Sequence, residues 1–281
     1  MELDDIAQIR ILIEGKKKQG KTGFDVEEKD YFQKVYNFLK KNNYDTTRFE
    51  GKLKTLQLIR VPEKEIGLGA SYKEKDNCLV YWNENDLYHE TFHIATKGIV
   101  ISRDDLTIGK GLNEGITDMF TRKIKNDANL HYKFENMCAE VLKMLYGEDI
   151  YKPYFNGSGE KFVNQFEQNM IYPFLKSLDE YNSLMTEFYT NLSNRKSIGG
   201  IHSKIAEAFH KVIFEIVYLC RSNTGNKTSE VGIYLDEQLN SDEFATIRDT
   251  IEIGGGTTHV LKYFDLEKKH KKWYNVAHGD D

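Results

Sequence analysis

Helical periodicity dominates this chain, and very little interrupts it. The 281 residues hold three prolines, Pro62, Pro153 and Pro173. Proline removes a backbone donor and clashes with the preceding turn, so each one limits where a helix can run. Apolar residues at i, i+3 and i+4 predict helices over Asn113–Asn126, Tyr132–Tyr146, Glu160–Leu175 (with a kink at Pro173), Asp179–Leu192, Ile201–Cys220 and Asp242–Ile251. Tyr146–Glu160 reads as a loop. Gly254–Phe264 reads as a segment ending in a short strand.

The first part of the chain mixes element types. Asp25–Lys41 carries Tyr31, Phe32, Val35, Phe38 and Leu39 at helical spacing. Leu53–Val61 alternates as a strand does, and "GLGASY" and "NCLVYW" read as two more strands around the turn "KEKDN". The expected fold class is α+β. A lobe over residues 1–110 would hold a small mixed sheet and one functional helix, and a mainly helical lobe would follow over residues 111–281. The two lobes would form one compact catalytic unit with a ligand cleft between them.

Composition removes several function classes. Net charge is −5 with 30% charged residues, so the basic excess of a nucleic-acid or membrane-surface protein is missing. No apolar run approaches the ~18 residues that cross a bilayer. The start, "MELDDIAQIRILIEGKKK", has no apolar core of a signal peptide, and the expectation is a cytoplasmic protein. Cys78, Cys138 and Cys220 are odd in number and lack CxxC spacing, against a disulfide framework or a zinc–thiolate site. Cys138 and Cys220 fall on apolar helix faces and read as core thiols. Oligomeric state is not legible.

The chemistry concentrates in "LYHETFHIAT", Leu87–Thr96. On a helix, positions i and i+4 share a face, so His89 and His93 would point the same way and could grip one Zn²⁺. Glu90 would stand about 100° round the helix from His89, beside the metal's open side without being a ligand. That is where a base for a metal-activated water belongs. Asn85 would cap the helix, Asp86 would suit its dipole, Gly98 would end it, and Phe92 would pack away from the metal. Alone, two histidines on a helix say little. The segment "GLNEGITDMFTRKI" from Gly111 then puts Glu114 and Asp118 one turn apart. A catalytic zinc needs a third protein ligand and a carboxylate behind a ligand histidine. Without the histidines, the two acids would read as a solvated helix face.

HExxH followed by a helix reading NExx[ST]D resembles the gluzincin metallopeptidases, and within them the thermolysin type. The resemblance covers Val80–Arg122. It implies a zincin-like two-lobed fold and a zinc-dependent endopeptidase acting on a peptide or protein. His89, His93 and Glu114 would be metal ligands. Glu90 would be the general base for a zinc-activated water, and Asp118 the partner of a ligand histidine. Such enzymes offer an exposed strand edge to substrate, and Leu79–Trp82 is either that edge or a buried strand of the same sheet. They also carry a downstream histidine that donates to the oxyanion. "SIGGIHSKIAEAFH" resembles that segment and makes His202 either the donor or a helix-start residue without such a duty. The tyrosine expected shortly before the third ligand is missing, which leaves Tyr151 and Tyr154 as substitutes for His202. A rival reading is a catalytically silent relative that binds a protein partner. Gly254–Gly256 reads as a flexible turn, and "EKKHKKWY", Glu267–Tyr274, as a solvated basic face.

Overall fold

A computed structural model describes residues 26–60, 70–81, 87–103, 106–125, 132–223, 225 and 227–265. The cap residues Asn85 and Asp86 and the basic run at 267–274 lie outside them. Most described residues are helical, with a small mixed sheet, which fits an α+β class at that coarse level. Among the described residues, no helix is long and apolar enough to cross a membrane.

The elements begin with α1 (Val26–Lys41), α2 (Thr47–Leu53), β1 (Gln57–Arg60), β2 (Ala70–Lys73), β3 (Cys78–Tyr81) and α3 (Leu87–Ala95). A hairpin of β4 (Ile101–Arg103) and β5 (Leu106–Ile108) leads into α4 (Lys110–Lys125) and α5 (Lys133–Tyr146). Two short helices follow, α6 (Lys152–Asn156) and α7 (Gly159–Val163), then the long α8 (Gln168–Ser193) and α9 (Ile201–Ser222). The described chain closes with α10 (Thr228–Leu239), α11 (Ala245–Ile253) and α12 (Leu261–Asp265).

Backbone proximity divides the chain into two compact units. The first comprises Met1–Gly98, Thr117–Leu130 and Lys152–Gly157. Its sheet has the order β1-β3-β2, with β3 parallel to β1 and antiparallel to β2. All four residues of β3 are buried, so both faces of this central strand are covered. The substrate-edge reading of Leu79–Trp82 is therefore corrected: Leu79–Tyr81 lie in the middle strand, and Trp82 lies outside the described residues. Among the described residues β2 is an outer strand. Helix α3 packs on β2, with α1 and α2 against it. Phe92, on α3, meets Phe38, Phe120 and Phe155 at 5.7, 6.0 and 6.5 Å between ring centroids. Aromatic pairs of this kind contribute ~0.5–1.5 kcal/mol each beyond their buried area. They hold a nine-residue helix that would be marginal in isolation.

The second unit comprises Ile99–Ile116, His131–Tyr151 and Ser158–Asp281. Its centre is the consecutive pair α8 and α9, packed on each other, with α11 and α10 packed on α9. Pro173 sits inside α8, which runs on without a break to Ser193. The two helices expected at Glu160–Leu175 and Asp179–Leu192 are thus α7 plus one 26-residue helix. Phe174, Leu178, Tyr181, Met185 and Phe188 are all buried, an unbroken helical stripe that carries the chain through Ser177. The expected loop at Tyr146–Glu160 is instead a 3-10 turn followed by α6 and the start of α7. The strand expected within Gly254–Phe264 is corrected to α12: Val260 and Phe264 are buried one turn apart. The triple glycine permits close approach. A Cβ on Gly254 would stand 2.2 Å from the His202 carbonyl oxygen, so α11 ends hard against the start of α9. All three cysteines are buried and reduced.

Candidate metal centre

Helix α3 places seven of its nine residues out of solvent and leaves only Glu90 and His93 partly exposed. Thr91 is buried and its hydroxyl donates to the Leu87 carbonyl one turn earlier at 2.5 Å. At the other end Arg48 donates from Nε to the Thr96 carbonyl at 2.8 Å. A cation there meets the negative end of the helix. Gly98 follows with a φ of 71°, the left-handed turn expected after this helix.

His89 and His93 do share a face. Their Nε2 atoms stand 3.0 Å apart. The other ring nitrogen of His89, Nδ1, lies 2.6 Å from Oδ1 of Asp118 in a buried pair. A carboxylate accepts only, so a proton sits on Nδ1, and in the neutral ring the Nε2 on the His93 side is then the acceptor nitrogen. Glu114, one turn before Asp118 on α4, completes a group whose donor atoms all lie within 4.8 Å of one another. Two nitrogens at 2.0–2.1 Å from one ion and this close would subtend about 94°, against about 109° in a regular tetrahedron. Opening the pair by about 0.3 Å removes the difference. Any two donors of such a tetrahedron stand about 3.3 Å apart, so the Glu114 oxygen needs to swing inward by about 1.5 Å at most. The residues therefore fit a divalent ion, and two imidazoles with one carboxylate is a zinc-type donor set.

Glu90 is anchored without being a ligand. Its Oε2 accepts the Tyr72 backbone N–H of β2 at 2.7 Å. Lys73, the next residue, is half-buried, and burial lowers its pKa while the Glu90 carboxylate works against that shift. Three groups that sequence reasoning passed over thus support the site: the outer strand β2, Arg48 behind α3, and the glycines of "GLNEG". A Cβ on Gly115 would stand 2.1 Å from the Glu135 carbonyl oxygen, and one on Gly111 2.9 Å from that of Leu178. Glycine is a poor helix former, by about 1 kcal/mol against alanine. Two glycines flanking Glu114 on a helix were the available signal that other backbones press on it.

His202 is the second residue of α9, and its ring meets Phe188 edge-on at 5.3 Å between centroids. Tyr151 and Tyr154 are fully buried. The Tyr151 hydroxyl donates to the Ala139 carbonyl at 2.5 Å, and that of Tyr154 pairs with Thr117 Oγ1 at 2.7 Å. They belong to the core, and the substitution of either for His202 is corrected accordingly.

The chain was compared with protein-family models, with curated proteins and with solved structures, and none of the three gave a match.

Proposed function

We propose that this chain is a zinc-dependent peptidase, with His89, His93 and Glu114 holding the ion and Glu90 acting as general base. The observation that carries the reading is the pair of Nε2 atoms 3.0 Å apart with Asp118 fixed behind His89. A buried carboxylate on Nδ1 sets the tautomer whose Nε2 can bind a metal. Bound there, zinc supplies Lewis-acid charge for a scissile carbonyl and lowers the pKa of water. Glu90 takes the proton of the attacking water and delivers it to the leaving amine. Its bond to the Tyr72 amide keeps the carboxylate oriented, which limits the freedom lost on reaching the transition state. His202 is the proposed donor to the oxyanion. Substrate is an extended segment of peptide or protein, cut internally. With β3 in the middle of the sheet, the strand proposed to receive it is β2.

Turnover of a mixed peptide library tests this reading. Cleavage that is blocked by a chelator, restored by zinc and lost in Glu90→Gln supports it. Zinc binding without cleavage of any library member would instead favour a silent relative that binds a protein partner.

A further inference from the structure

The N-terminus of the ligand helix α4 has no cap of its own. The residue at its start, Gly109, offers no side chain, and its φ is 91°. The first backbone N–H groups of any helix lack partners within it. Here they are met from 70 residues away. Asp179 Oδ2 accepts the Gly109 N–H at 2.8 Å, and Oδ1 accepts the Gly111 N–H at 2.7 Å. The carboxylate is partly buried on α8, and it faces the positive end of the α4 dipole. Leu178, its neighbour, presses its carbonyl oxygen on Gly111, and α5 presses the Glu135 carbonyl on Gly115. Glu114 lies between these two contacts. Its own neighbour Asn113 is also tied down, since Asn113 Oδ1 accepts the Ile99 N–H at 3.2 Å.

From this we infer that Asp179 is a positioning residue for the metal centre: by gripping both amides it sets where α4 starts, and so where Glu114 stands. The inference rests on the proposed zinc centre. A cap of purely structural duty would stabilise the fold and leave the metal alone. A positioning residue acts on metal affinity beyond its effect on stability, because an ion tolerates little displacement of its third ligand.

Zinc affinity of the full-length chain, measured by competition with a chromogenic chelator, separates the two. Asp179→Asn keeps one acceptor and turns an amide N–H towards the second donor. It is expected to weaken zinc binding by about tenfold, the low end for a lost supporting partner. Asp179→Glu keeps the charge and both acceptors and should recover most of that loss. Ser158→Ala is the control: Ser158 caps α7 by accepting the Lys161 N–H, and its loss should lower the melting temperature without changing zinc affinity. The inference is overturned if Asp179→Asn binds zinc as tightly as wild type, or if Ser158→Ala weakens zinc equally. If Asp179→Asn does not fold, Asp179→Ser, which keeps a single short acceptor, replaces it, and the inference is overturned if that variant binds zinc as tightly as wild type at a lowered melting temperature. Failure of the centre itself is told apart, because the wild-type chain would then bind no zinc.

Discussion

His89 uses both ring nitrogens, one towards Asp118 and one towards His93. Removing the carboxylate therefore changes the ring before it changes the metal. Asp118→Ala leaves the Nδ1 proton without its buried acceptor and lets the imidazole turn. Zinc affinity or activity should fall by about 10–100-fold, measured by chelator competition and by initial rates; wild-type values in that variant would make Asp118 a structural partner only. Glu90 predicts a different signature. Glu90→Gln keeps the shape and an acceptor for the Tyr72 amide but cannot carry the proton. Zinc content should be unchanged while turnover is lost, and a variant that still cuts would need another base. At His202 the interaction exists mainly in the transition state. His202→Ala should lower kcat by about 10²–10³-fold with little change in KM or zinc content. Unchanged kcat would return His202 to the packing role that its contact with Phe188 already shows.

At the scale of elements, the ligand helix is held by contacts that a larger side chain would break. Gly115→Ala puts a methyl where the Glu135 carbonyl oxygen is 2.1 Å away. Backbone of α5 cannot yield as a side-chain tip would, so about 1–3 kcal/mol of stability should be lost in spite of alanine's better helix propensity. Equilibrium unfolding in urea measures this, and a gain in stability would mean that α4 and α5 are not locked at that point. Much of this architecture was legible. The helix over Val26–Lys41, the three short strands, and helices α4, α5 and α9 follow from apolar periodicity because each buries one regular face. His89 and His93 were legible because HExxH fixes a shared face by helix geometry alone, and Glu114 because it sits in the NExx[ST]D run of the next helix. What escaped was set by packing between elements. Strand order is not written in a four-residue buried run, so β3 could not be told from an edge. Helix α10 went unseen although Val231, Leu235 and Leu239 repeat every four residues and are buried, because Gly232 interrupts the pattern; a Cβ there would stand 3.0 Å from the Phe264 ring. Asp179 could not be linked to Gly109 and Gly111, since nothing local connects residues 70 positions apart.

For the molecule as a whole, buried carboxyls give stability one component that depends on pH. Burial pushes Glu215 on α9 from an ordinary 4.5 up to about 7, and it raises Asp179 as well, against the pull of the two glycine amides. A raised carboxyl pKa means that the folded chain holds a proton which the unfolded chain has released. The contribution of Glu215 to stability therefore falls as pH rises from about 4.5 to about 7 and levels above that. Glu215→Gln removes this slope. Its advantage over wild type in urea unfolding should be small near pH 5 and grow to at most about 3 kcal/mol by pH 8. An advantage independent of pH would show that Glu215 does not titrate in that window.

The metal content of the purified chain bears most directly on the whole proposal. Elemental analysis of wild type beside Glu114→Ala, after dialysis against zinc-containing and then zinc-free buffer, is expected to give close to one zinc per wild-type chain and almost none in the variant. A wild-type chain without zinc, or a Glu114→Ala chain that keeps it in full, would contradict the centre built from His89, His93 and Glu114.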